Sequence, residues 1–248
     1  MKNIKKKMAR KIKLLVSIRS IEEIKAIEDI DIDIVDIKDP ENGPLGMLDL
    51  TEVEKIVQAL VSSTYRGKIS TTFELNKQTI STSGINKMVD LSRLRIDYIK
   101  VGTAVDIDTR KTLTEFNQRF LKLKNLVKKN NLILVLTIDE KYSVKNITNI
   151  FEIDLTNFCG IMVDTFNKNR GSIFEIIRIE DLEEIKNLAL ENEKDFGIAG
   201  SLQISHKNLI KKIEPNWAGY RGSLCLKKRT CPLSREKVER LITVFDRY

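Results

Sequence analysis

Lys38, Lys100 and Lys168 each lie within four residues of an aspartate, where the sequence reads as the end of a buried strand. Residues 32–38 alternate Ile-Asp-Ile-Val-Asp-Ile-Lys and end on Asp36 and Lys38. Asp97-Tyr98-Ile99-Lys100 closes a second run, and Ile161-Met162-Val163-Asp164 a third, with Lys168 four residues on. A charge is costly at the buried end of a strand unless it is paired. One such charge marks only where a strand leaves the core; three strands ending this way indicate a site. A lysine beside a carbonyl substrate can form a Schiff base. Free lysine, with a pKa of about 10.4, is protonated and a poor nucleophile. Neighbouring ammonium groups and burial lower that value. Lys38, Lys100 and Lys168 in one mouth would supply the repulsion, and Asp36 and Asp164 would orient amines and move protons. A second reading stays open, in which these lysines only bind phosphate.

Two further segments suit an anion. Ala199-Gly200-Ser201 and Arg221-Gly222-Ser223 end the seventh and eighth candidate strands. Glycine lets backbone N–H groups approach a phosphate, and barrels commonly hold phosphate there. Gly200, Ser201, Arg221, Gly222 and Ser223 are therefore the expected phosphate ligands.

The elements that must position these groups alternate strand and helix. Strands are expected at 13–18, 32–38, 68–75, 97–102, 132–139, 159–165, 196–202 and 217–221. Helices are expected after Ser20, after a Thr51-Glu52-Val53-Glu54 capping box, and at 80–94, 109–130, 142–151, 179–193, 205–214 and 234–245. In the long 109–130 helix, Leu113, Phe116, Phe120, Leu123 and Val127 recur at helical spacing. Eight strands with helices between them, in 248 residues, predict an α/β fold, a single (β/α)8 TIM barrel. The barrel takes 13–248, behind a basic, frayed head at 1–12.

Composition narrows the chemistry. The chain carries 43 Lys+Arg against 35 Asp+Glu, a formal charge of +8. A basic mouth attracts phosphorylated small molecules. No segment approaches the roughly 20 apolar residues of a membrane span, and Leu14-Leu15-Val16 is too short for a signal peptide. The expectation is a cytoplasmic protein. His206 is the sole histidine, expected at the surface, which rules out a multi-histidine metal site. Cys159, Cys225 and Cys231 are odd in number, lack zinc spacing and read as free thiols. No metal is expected.

The ordered set Asp36-Ile37-Lys38-Asp39-Pro40, Gly43, Leu45-Gly46, Asp97-Tyr98-Ile99-Lys100-Val101-Gly102, Asp164-Thr165 with Lys168, Ala199-Gly200-Ser201 and Tyr220-Arg221-Gly222 resembles the (5-formylfuran-3-yl)methyl phosphate synthases of methanofuran biosynthesis. The resemblance runs from Leu14 to Gly222. It implies a (β/α)8 enzyme, a lyase, that joins two molecules of glyceraldehyde 3-phosphate, loses one phosphate and water, and closes a furan ring. It implies Lys38 as the Schiff-base residue and Asp36, Lys100, Asp164 and Lys168 as its partners in acid–base and elimination steps. It implies no metal or organic cofactor. The chain departs from the family after Gly222. A glycine-rich loop is replaced by Leu224-Cys225-Leu226-Lys227-Lys228-Arg229-Thr230-Cys231-Pro232.

Asp36-x-Lys38-x-x-Glu41 is also close to the signature of orotidine-phosphate-decarboxylase-like barrels, a rival enzyme reading. A basic nucleic-acid-binding protein is a further alternative, against which stands the lack of any recognised motif or aromatic stacking platform. The expected partner is a small phosphorylated substrate. A homo-oligomer is compatible with the sequence.

Overall fold

A computed structural model describes residues 11–76, 79–106, 108–123, 131–138 and 144–245. Eight parallel strands close into a barrel in chain order: β1 (Lys13–Ile18), β2 (Ile34–Ile37), β3 (Lys68–Glu74), β4 (Tyr98–Ala104), β5 (Asn131–Ile138), β6 (Phe158–Thr165), β7 (Asp195–Ile198) and β8 (Trp217–Tyr220). Around them run α1 (Leu50–Ser62), α2 (Thr82–Arg93), α3 (Thr109–Leu123), α4 (Val144–Thr148), α5 (Ile173–Ile176), α6 (Ile179–Glu191), α7 (Lys207–Ile213) and α8 (Arg235–Val244). The expected (β/α)8 architecture is thus present. None of the described helices is long and apolar enough to cross a membrane.

The two-residue side-chain period of a strand divides the core in two. Outward residues such as Leu14, Val16, Val35, Ile99, Leu134, Ile161 and Phe196 pack under the helices in one large cluster. Inward residues form a small separate plug of Leu15, Ile34, Leu45, Ile133, Val135, Met162 and Trp217. Leu45 comes from the β2–α1 loop and lies over the inward face of Gly102. A Cβ there would stand 2.0 Å from Leu45 Cδ2, so the loop can seat only above glycine. Above this apolar plug the inward positions turn polar, and the site begins.

Several local expectations fail for identifiable reasons. The segment after Ser20 is a 3-10 helix, Ile21–Ala26, and Ser20 makes no side-chain cap. Its capping partner Glu23 is drawn instead to Arg221. Helix α1 starts one residue before Thr51, with Asp49 at the N-cap. The 3.6-residue pattern of 109–130 gives α3 to Leu123; Val127 lies outside the described residues. So do Asp139, Tyr142 and residues 1–10 of the basic head. β4 runs on to Ala104, because it pairs with β5 as far as Thr137. Lys100 is therefore in mid-strand, not at the strand end.

Candidate active site

Lys100 points inward from β4, and its ammonium is buried. Its Nζ donates to Asp36 Oδ2 at 2.6 Å. Asp36 is inward on β2, level with Ser17 on β1 and Ser70 on β3. Both hydroxyls donate to it, Ser17 to Oδ2 at 3.0 Å and Ser70 to Oδ1 at 2.8 Å. The carboxylate is fully enclosed, at 0% exposure, yet it meets one cation and two hydroxyls. Burial pushes its pKa up, but Lys100 and Lys38 with these hydrogen bonds outweigh that, holding it below the usual range.

Lys38 is two residues beyond Asp36, so the strand period sends both inward. It sits one residue past the end of β2, where its N–H donates to Ile18 O at 3.0 Å. Burial, then Lys100, lower the pKa of Lys38; Asp36 and Asp164 oppose, and Lys168 adds to the lowering. The balance brings it down to about 7. An amine that can lose its proton near neutral pH is what attack on a carbonyl requires.

Across the mouth, Asp164 is inward near the end of β6, and Lys168 opens a short 3-10 turn, Lys168–Arg170. Their side chains pair, and Lys168 Nζ also donates to Thr165 Oγ1 at 3.1 Å. Burial raises the pKa of Asp164, and Lys168 and Lys38 more than offset it. Burial lowers the pKa of Lys168 against the pull of Asp164.

These groups line one cavity of about 500 Å³, shared by Lys38, Lys100, Asp164, Lys168 and the ends of β7 and β8. Asp36 lies just beneath it. All five residues expected to do chemistry are thus brought together. Gly200 and Ser201 follow β7 in consecutive left-handed conformations, φ +101° and +48°. A serine held there is strained. Successive backbone N–H groups so turned make an anion-binding concavity. No hydrogen bond within the described residues takes the N–H groups of Gly200, Ser201, Gly222 or Ser223. The Ser223 hydroxyl is buried in the same wall without a partner.

Arg221 is the exception among the expected phosphate ligands. Its Nη1 and Nη2 donate to Glu23 at 2.6 and 2.9 Å. Its other N–H groups donate to the carbonyls of Ser17, Arg229 and Cys231 at 3.0, 3.0 and 3.1 Å. All five donors of a guanidinium are spent on the protein, so its side chain has none left for a phosphate. Sequence reading missed Arg229, which lines the cavity instead. Its signal in the sequence is the basic run Lys227-Lys228-Arg229 in the loop after Gly222.

His206 is away from the mouth, edge-on to Phe174 with centroids 5.2 Å apart. Glu41, the acid of the rival signature, is exposed at the rim and pairs with Arg19 at 2.7 Å.

The chain is 10% identical to phosphoribosyl anthranilate isomerase from Thermus thermophilus, with a TM-score of 0.61 over 95% of this chain and 98% of that one. It matches a thiamine phosphate pyrophosphorylase from Pyrococcus furiosus at 12% identity and a TM-score of 0.55, over 96% and 97% of the two chains. At such identities the likeness shows the barrel alone. In sequence, the chain is 31% identical over 240 residues to the (5-formylfuran-3-yl)methyl phosphate synthase of Methanosarcina mazei, covering 93% of this chain and 98% of that protein. The enzyme of the same name from Archaeoglobus fulgidus is 27% identical over 240 residues, with the same coverage. The family model described as 4-HFC-P synthase matches residues 14–242, and the chain belongs to that family of enzymes.

Proposed function

We propose that this mouth condenses two molecules of glyceraldehyde 3-phosphate into (5-formylfuran-3-yl)methyl phosphate through a Schiff base on Lys38, as a lyase of methanofuran biosynthesis. The observation that carries the reading is Lys38 itself, a buried lysine with its pKa lowered to about 7 between two Asp–Lys pairs. Its neutral Nζ attacks the aldehyde carbon, and the carbinolamine loses water to give an imine. The imine acidifies the adjacent carbon, so that a carboxylate can take its proton. The resulting enamine expels the phosphate on C3, assisted by the Lys168 ammonium. That carbon, now the end of an unsaturated imine, is attacked by the deprotonated C2 of the second triose phosphate. Ring closure, dehydration and hydrolysis of the imine return Lys38. Atom balance requires one phosphate and two waters to leave, with no net oxidation.

Burial and the Lys100 ammonium, against the pull of Asp36 and Asp164, let Lys38 lose its proton near pH 7. The free N–H groups of Gly200, Ser201, Gly222 and Ser223, with the Ser223 hydroxyl, hold one phosphate. A decarboxylase-like reading has less support, because Glu41 is occupied by Arg19 at the rim.

The test is covalent. Borohydride added with glyceraldehyde 3-phosphate should leave a reduced triose on the peptide carrying Lys38, and mass spectrometry should find the furan phosphate. Lys38→Arg keeps the charge without an easily freed amine and should abolish both. An adduct confined to other lysines refutes the assignment.

A further inference from the structure

Arg229 sits in the wall between two cavities. The mouth, about 500 Å³, holds Lys38. A neighbouring groove of about 460 Å³ shares Pro44, Lys168, Asn169 and Arg229 with it. Gly43 and Asn167 extend that groove, and no Asp or Glu lines it. Arg229 is half-buried, and its Nη2 donates to Gly43 O at 3.2 Å. No carboxylate pairs with it among the described residues, whereas its neighbours at this end are committed, Arg19 to Glu41 and Arg221 to Glu23. Burial disfavours the Arg229 charge, and Asp164 and Asp39 offset that only from a distance; an arriving anion in direct contact relieves the cost. The backbone of Arg229 is held independently of its side chain: its carbonyl accepts from Arg221 Nε at 3.0 Å and from Cys225 Sγ at 3.6 Å.

The reaction proposed above takes two triose phosphates, and the ends of β7 and β8 account for one phosphate. We infer that Arg229 and the groove beside it hold the phosphate of the second triose phosphate, with Lys168 in the shared wall between the two substrates. A guanidinium forks onto phosphate oxygens bidentately, so it orients as well as attracts. This placement rests on the Schiff-base reading. It makes Arg229 a residue of the second substrate only, with no part in forming the imine.

Full-length Arg229→Met and Arg229→Lys, given glyceraldehyde 3-phosphate, test it through two readouts. The first is the borohydride-trapped adduct on Lys38, which reports the first triose. The second is the substrate dependence of furan formation. Trapping in Arg229→Met should keep the wild-type concentration dependence. Its half-saturation for product should rise roughly ten- to hundredfold, as expected for loss of one charge-assisted contact. Arg229→Lys should fall between the two, and added guanidinium ion should restore part of the Arg229→Met product rate. Unchanged product half-saturation in Arg229→Met overturns the inference. So does loss of trapping in step with turnover in both variants. Wild-type protein that traps no adduct and makes no furan defeats the Schiff-base reading and this inference together, and is thereby distinguished from failure of the second subsite alone.

Discussion

Lys38 shows how a residue of ordinary type acquires an unusual state. Burial disfavours its ammonium, Lys100 repels it, and Asp36 and Asp164 only partly compensate. Its protonated fraction should therefore fall as pH rises through about 7, and kcat/KM should rise with it. Removing the Lys100 charge makes protonated Lys38 cheaper and leaves Asp36 seeking a cation. Lys100→Met should therefore lower activity and move that acid limb to higher pH. Asp164→Asn removes a charge that favours the ammonium, so its limb should move to lower pH. It also removes a proton carrier, so kcat should fall while trapping at Lys38 survives. pH–rate profiles of the two variants check both directions. Identical profiles in wild type and Lys100→Met would show that β2 and β4 do not share one site.

At the scale of elements, the buried Arg221–Glu23 pair ties the end of β8 to the 3-10 segment after β1. The two side chains are 5% and 3% exposed. Glu23→Gln leaves a buried guanidinium uncompensated and should cost roughly 3–5 kcal/mol in denaturant unfolding, as breaking one partner of a buried pair does. Little loss of stability there would mean that the loop is held by its carbonyl contacts alone. The same pair explains two misreadings from sequence. Ser20 with Glu23 has the spacing of a capping box, and Arg221 before Gly222-Ser223 has the look of a phosphate ligand. Local pattern cannot reveal that the two carry opposite charges into one enclosed volume, nearly two hundred residues apart. Strands were legible to within a few residues, because burial on both faces leaves long β-branched runs. The extension of β4 past Gly102 was not, since it depends on the register with β5.

Across the whole molecule, the polar layer of the barrel sits directly on a small apolar plug, and its charges are largely matched in pairs. Asp36 and Asp164 each hold a lysine. A divalent ion would have to displace one of these ammonium groups to gain a carboxylate. Exhaustive EDTA treatment should therefore leave kcat within about twofold of the untreated enzyme, against the large losses seen when a required ion is stripped. Loss restored by Mg²⁺ would assign the carboxylates to a metal instead. The sequence by itself determined the alternation of strand and helix and the closed barrel, and it singled out Asp36, Lys38, Lys100, Asp164 and Lys168 as candidates, because hydrophobic period and costly buried charge are local properties. Only the tertiary structure decided which cation meets which carboxylate. It spent Arg221 on Glu23 and left Arg229 without a carboxylate partner among the described residues, because pairing depends on distances that closure of the barrel sets.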